Sequence, residues 1–478
     1  MYEQNTKKNT KIVATISDRK CDVDFLKELY LRGMNVVRIN TAHQTVDDAK
    51  KVIDNVREVS EKIAVLIDTK GPEIRCTKPE TPLTLKEGEH IFIGDNPEES
   101  STEKCIHINY DGFVSQTPKG ATILIDDGAF SLRVLEKKDD VLVAQVVSGG
   151  TFKDRKTIAV PGVHYDLPPL TEKDKEFIEF AAKQEVAFIA HSFVRNRADV
   201  MAVQELLDKH NSTVQIIAKI ENQEGVDNID EILECTFGIM VARGDLGVEI
   251  PGHKVPSIQK TLIRKARDHQ RVVIVATQML HTMIENPRPT RAEITDVATA
   301  IYDRADAIML SGETAYGSYP LDSVEMMTSI AHEVEAELAT RKFRIPLKEA
   351  YLIPEYLALM SMHASLHLDA KAVVVDTTFG TTPRRISAFK GSTPIFSFCY
   401  NWQTVRQLAL CRGIYAAYME PVSSSEEFVR KAMKHLQRKE TLADDDRVVV
   451  IAGNFEPTHG ASFIEISTVK NLRRDLAK

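Results

Sequence analysis

Long apolar runs are missing from this chain: no uninterrupted segment approaches the roughly 20 residues that a membrane span needs. Paired cysteines are missing as well. Cys21, Cys76, Cys105, Cys235, Cys399 and Cys411 lie far apart, which fits neither a disulfide framework nor a zinc-ligand spacing. They are expected to be reduced, structural thiols, and the chain to be cytoplasmic. There is no long basic stripe either. With 61 Lys and Arg against 69 Asp and Glu, the formal net charge is -8, which argues against nucleic acid or an anionic membrane surface as a partner. The leading "MYEQNTKKNTKIVATIS" has only a short apolar stretch interrupted by Thr and Ser, unlike a signal peptide.

What is present is a length of 478 residues at 43% hydrophobic content, enough for about three domains with ample cores. Eight short apolar runs recur: "KIVATI", "NVVRIN", "AVLIDT", "VAFIAHS", "VQIIAKIE", "FGIMVARGD", "VVIVATQ" and "DAIMLSG". Amphipathic stretches such as "VDDAKKVIDNVREVSEK" and "TEKDKEFIEFAAKQ" separate most of them. Continuously apolar strands alternating with helices are parallel strands buried on both faces, and eight units fit a closed (β/α)8 barrel. A doubly wound open sheet is the alternative. The runs end in Thr15, Arg38 with Asn40, Asp68, Ser192, Lys219 with Glu221, Arg243 with Asp245, Thr277, and Ser311 with Glu313. In a barrel these ends share one mouth, where barrel enzymes build their sites.

Residues 72–163 break the pattern with short alternating strands and Gly or Pro turns, so they read as an inserted β lid, a small barrel or sandwich. The catalytic barrel is then discontinuous, 1–71 and 164–345. From about 350 to 478, runs such as "AKAVVVDTT" and "DRVVVIAG" alternate with helical segments and imply a separate α/β domain.

The chemistry of the mouth follows from residue types. Lys219 and Glu221 stand two apart, so strand geometry aims both at one face. Glu221 and Asp245 are hard oxygen ligands on adjacent strands, a usual protein contribution to a Mg²⁺ site that leaves positions for substrate oxygens. Salt bridges from these carboxylates to Lys219 and Arg243 are the structural alternative. Arg38 and Lys219 supply positive charge suited to a phosphoryl group or an oxyanion. Thr277 offers a hydroxyl, and "ARGDLGVEI" offers backbone amides from Gly244 onward if a short helix begins there. Together they imply a small anionic, phosphorylated substrate on Mg²⁺.

The motifs "MNVVRIN", "LIDTKGPEIR", "VPGVHYDLPPLTEKD", "IIAKIENQEG", "VARGDLGVEI", "VIVATQML" and "IMLSGETAYGSYP" resemble the pyruvate kinase family over nearly the whole chain. The resemblance implies a (β/α)8 barrel with an inserted β-barrel lid and a C-terminal α/β effector-type domain. It also implies transfer of the phosphoryl group of phosphoenolpyruvate to ADP, giving pyruvate and ATP, in a cytoplasmic homotetramer. Its implied site residues are Lys219, Arg38 and Thr277 for catalysis, with Gly244 and Asp245 joining them in substrate binding. Asn40, His43, Arg75 and Lys156 match nucleotide contacts, Glu221 and Asp245 match ligands of Mg²⁺ or Mn²⁺, and Asn40, Asp68 and Thr69 match ligands of K⁺.

Departures from the family pattern bear on the monovalent ion and on regulation. Ala42 stands where a serine hydroxyl would bind K⁺, and Glu73 stands where K⁺-independent members carry a lysine. Asp68 and Glu73 are therefore expected to be uncompensated and to favour a cation. In the C-terminal loop "TTFGTTP", which matches an effector-phosphate cradle, Thr377, Gly380 and Thr382 are kept but Phe379 replaces a serine. "ISDRK" replaces the usual first barrel loop, and "KTIAVPG" the usual lid segment. Two other readings stay open: a metal-dependent barrel aldolase or lyase acting on a 2-oxo acid, which would turn over without ADP, and a non-catalytic metabolite-binding protein.

Overall fold

A computed structural model describes residues 8–340, 351–453 and 461–473. All eight apolar runs are strands: β1 Lys11–Thr15, β2 Val36–Asn40, β3 Ala64–Asp68, β4 Phe188–His191, β5 Gln215–Ile220, β6 Gly238–Ala242, β7 Val272–Ala276 and β8 Ala307–Leu310. Each pairs in parallel with the next, and β8 closes on β1 with Lys11 opposite Ala307, which excludes an open sheet. Most of their residues are wholly buried because the strands have no solvent face: helices cover the outside and side chains fill the inside. Val13, Val36, Leu66, Phe188, Ile217, Met240, Ile274 and Met309 belong to one core cluster, while neighbours such as Ile12, Val37, Ile67 and Ile189 pack with the helix residues.

The covering helices start where the sequence offers a cap. Thr45 and Asp48 form a capping box on Val46–Val59, Thr171 and Asp174 on Glu172–Lys183, and Thr290 and Glu293 on Arg291–Tyr302. In each, the threonine oxygen accepts the amide three residues on and the acid returns to the threonine amide, satisfying donors a helix leaves open.

Between β3 and Glu172–Lys183 the chain forms the β insert. Six strands pair in the order Ile158–Ala159, Thr122–Ile125, Phe130–Lys138, Val141–Ser148, His90–Gly94, Cys105–His107, beside a two-stranded pair, Leu83–Leu85 with Gly150–Phe152. Ile91, Ile93, Phe113, Leu132 and Val146 belong to its own core. The C-terminal region holds a sheet ordered Ile414–Tyr418, Ile395–Cys399, Ala372–Thr377, Arg447–Gly453 and Ala461–Thr468, of which the last pair is antiparallel. The expected junction between barrel and C-terminal region, 345–350, lies outside the described residues.

Candidate active site

Strand alternation on β5 carries Lys219 to the mouth, and the neighbouring strands bring it partners. Its Nζ lies 3.1 Å from Asp68 Oδ1 and 3.0 Å from Glu221 Oε1, and donates to Ser192 Oγ at 2.7 Å. Arg38 donates through Nε to Asp68 Oδ2 at 2.6 Å and through Nη1 to Thr15 Oγ1 at 3.0 Å. The ends of β1 to β5 thus meet in one buried network. Ser192, noted in the sequence only as a strand end, is its hub: it also donates to the Thr69 carbonyl at 2.6 Å, and its amide donates to Thr69 Oγ1 at 3.1 Å.

The charges are unevenly shared. Burial alone would raise the Asp68 carboxyl, but Arg38 and Lys219 outweigh it and hold it below the ordinary range. Burial opposes the charge on Lys219, yet Asp68 and Glu221 outweigh that in turn and keep the ammonium protonated. Glu221 has only a share in Lys219, so burial pushes its carboxyl up to about 7. Its Oε2 accepts the Phe193 amide at 2.8 Å; its buried Oε1 touches Lys219 without an aligned hydrogen bond. Such an oxygen fits a hard cation.

Asp245 stands in the first turn of Arg243–Glu249, the short helix anticipated at this point, and lines the same cavity as Glu221. The structural alternative for these carboxylates is half realised. Glu221 does contact Lys219, but Arg243 turns away to Asp296 at 2.7 Å and to the Thr277 carbonyl at 2.6 Å. Thr277 itself is in a left-handed conformation, φ 68°, costly for a β-branched residue. Thr277 Oγ1 accepts the Gly244 amide at 2.8 Å, which joins the ends of β6 and β7. Glu313 is not part of the constellation: its two oxygens accept the Leu280 and Ser311 amides. Among the described residues no three or more His, Cys, Asp or Glu converge as a metal cage, so a divalent ion here would have two protein carboxylates and need oxygens from elsewhere.

The lid supplies the opposite wall. Glu73, Asp127 and Thr157 line the cavity that Glu221 and Asp245 line from below. Arg75 and Lys156 flank this wall without lining the cavity, Arg75 bridged to Thr157 by backbone pairing and Lys156 preceding that residue. Their charges are engaged, Arg75 with Glu73 at 2.6 Å and Lys156 with Asp126 at 2.8 Å. His43 is exposed on the loop after β2. The expectation that Asp68 and Glu73 are uncompensated is corrected: Asp68 has two cations and Glu73 has Arg75. Arg75 stands two residues from Glu73 and the pair was legible in the sequence, whereas Arg38 and Lys219 reach Asp68 only once the barrel closes. Asn40 Oδ1 already accepts the Ala42 amide at 3.1 Å. In the C-terminal loop, Thr377 Oγ1 accepts the Gly380 amide at 2.9 Å, and Phe379 is 75% exposed.

Residues 7–324 match the family model described as pyruvate kinase, barrel domain, and residues 355–467 the one described as pyruvate kinase, alpha/beta domain. The pyruvate kinase of Borreliella burgdorferi is 46% identical over 472 residues, covering 97% of this chain and 98% of the relative. That of Geobacillus stearothermophilus is 43% identical over 457 residues, covering 94% of this chain and 78% of the relative. A crystal structure of a pyruvate kinase from Cryptosporidium parvum superposes with a TM-score of 0.92 at 32% identity, covering 97% of this chain and 96% of the other. Likeness of this extent, in sequence and in fold, places the chain in the pyruvate kinase family.

Proposed function

We propose that the barrel mouth transfers the phosphoryl group of phosphoenolpyruvate to ADP, giving pyruvate and ATP, and that the residues gathered there divide the work. The observation that carries the proposal is the Lys219 ammonium, fixed by Asp68, Glu221 and Ser192 and kept charged in a buried site. Phosphoryl transfer depends on positioning and on neutralising charge on the equatorial oxygens, and a preorganised cation in a dry site does this without reorganising at the moment of reaction. Arg38 adds a guanidinium suited to phosphate. Glu221 and Asp245 would hold Mg²⁺ or Mn²⁺, which when bound supplies Lewis-acid polarisation of the substrate oxygens. The Gly244 region would hold the substrate carboxylate, and Thr277, poised in a strained turn, would serve proton delivery to the enolate.

The finer assignments belong to the same proposal. Asn40, His43, Arg75 and Lys156 contact the nucleotide; Asn40, Asp68 and Thr69 bind K⁺; the enzyme is a cytoplasmic homotetramer. The division into a barrel of 1–71 with 164–345, a lid of 72–163 and a C-terminal domain of 350–478 is supported by the separate sheets of the three regions. No helix among the described residues is long and apolar enough to cross a membrane. Pyruvate formation coupled to lactate dehydrogenase, with and without ADP, tests the activity. Strict ADP dependence is expected, and turnover without ADP would favour a lyase, for which no contact in the site speaks. Light scattering of the purified enzyme tests the tetramer.

A further inference from the structure

The chain leaves the barrel for the lid through 69–72, just after β3, and returns through 160–171 into Glu172–Lys183. Both crossings meet at one side chain. Asp174, in the first turn of that helix, has no exposed surface. Its Oδ1 accepts the amides of Lys70 at 3.0 Å and Gly71 at 3.2 Å, on the outgoing segment. Its Oδ2 accepts the Thr171 amide at 2.9 Å and the Thr171 hydroxyl at 2.7 Å, on the returning one. A capping box needs only the second set; the first is additional and runs to a segment a hundred residues away in sequence.

The outgoing segment is pressed against the site. Gly71 has φ +71°, and a Cβ there would lie 2.8 Å from both Ser192 and Phe193. Those two residues hold Lys219 and Glu221, through the Ser192 hydroxyl and the Phe193 amide. The returning segment has a second tie. Arg195, held by the Asp199 carboxylate at 2.9 Å, donates to the carbonyls of Leu167 at 3.0 Å and Tyr165 at 3.3 Å. The two crossings are therefore fastened together by hydrogen bonds through the Asp174 carboxylate, and the outgoing one reaches the site residues by the close packing of Gly71 on Ser192 and Phe193.

We infer that Asp174 is a positioning residue for the reaction: it fastens both lid crossings to the barrel and so sets the position of the lid relative to Lys219 and Glu221. The inference rests on the proposed site but concerns a residue outside it. Two variants test it. Asp174→Asn keeps one acceptor oxygen and loses the other; Thr171→Ala leaves the outgoing contacts and loosens only the return. Hydrogen exchange by mass spectrometry reads the hinge directly. In Asp174→Asn, exchange in peptides covering 69–72 and 160–171 is expected to rise at least tenfold while strands β5 to β8 stay protected. Steady-state kinetics should show at least a tenfold rise in KM for ADP with kcat reduced less. Thr171→Ala should accelerate exchange only on the returning segment. Unchanged hinge exchange in a folded Asp174→Asn, or unchanged return exchange in Thr171→Ala should the first variant not fold, would overturn the inference, as would a hinge that loosens with no change in KM for ADP. Wild-type enzyme lacking ADP-dependent pyruvate formation would instead overturn the proposed site, leaving the hinge result readable by exchange alone.

Discussion

At the scale of single residues, the site is a set of charges that make sense only together. Lys219 neutralises two buried carboxylates in the resting site, and the same ammonium is available to a phosphoryl group. Lys219→Met is expected to lower kcat by at least roughly 10²-fold, as loss of one preorganised donor does, with divalent-ion affinity changed only a few-fold. The coupled assay and a Mn²⁺ titration read the two. At the proposed K⁺ site the oxygens are already in use: Asn40 Oδ1 accepts an amide, the Thr69 carbonyl accepts the Ser192 hydroxyl, and Asp68 is ion-paired. Ala42→Ser would add a side-chain oxygen that competes for none of these, so it should lower the K⁺ concentration giving half-maximal activity by several-fold. Equal K⁺ curves in tetramethylammonium buffer would remove the ion from this place. Phe379 projects into solvent where a phosphate-binding hydroxyl is expected, and an aromatic ring offers no donor. Fructose 1,6-bisphosphate should therefore activate weakly or not at all; activation at micromolar concentration would contradict this.

At the scale of elements, β4 ends in His191, a buried imidazole with neither nitrogen hydrogen-bonded among the described residues. Burial is the main cause that pushes its folded pKa down to about 4, against Asp174 and Asp199, which favour its charge, and with Lys219 and Arg195, which oppose it. The unfolded chain takes up this proton near pH 6.5, the folded chain only near 4. Stability from this residue is therefore complete above about 6.5 and is lost as pH falls through 4, by roughly 3 kcal/mol at most. In His191→Leu, urea midpoints measured from pH 7 to 4 should fall less steeply than in the wild type. The eight barrel strands and their helices were legible because each carries its own pattern, a fully apolar run or a capped amphipathic stretch. Ala461–Thr468 was not. Its alternation is diluted by Ser, Glu and Thr, and it is a strand because it completes the edge of a sheet against Arg447–Gly453. The left-handed turn at Thr277 was equally hidden, since the partner of its carbonyl, Arg243, opens a helix that follows a different strand.

At the scale of the whole molecule, barrel and C-terminal region are joined by buried charge. Lys390 donates to Asp306 Oδ2, just ahead of β8, and both side chains are 2% exposed. The Arg412 amide reaches Asp306 Oδ1 at 3.1 Å, and the Arg412 guanidinium pairs with Glu335 at 3.4 Å. Lys390→Met leaves Asp306 buried without its cation and should destabilise the protein by about 3–5 kcal/mol. Guanidinium chloride unfolding should show a lower midpoint or a split transition, and an unchanged midpoint would refute the bridge. None of this joint was visible in the sequence. The chain by itself determined the barrel, the insert and the family, and it named residues that the fold brings to one mouth, because periodicity is local and because the motifs hold their pattern within a few residues. Only the tertiary structure decided which charge answers which. Asp68 was read as uncompensated and is doubly paired, and Arg243 was set beside Asp245 and binds Asp296. Electrostatic partnership depends on distance in space, and in a closed barrel residues far apart along the chain become neighbours at one mouth.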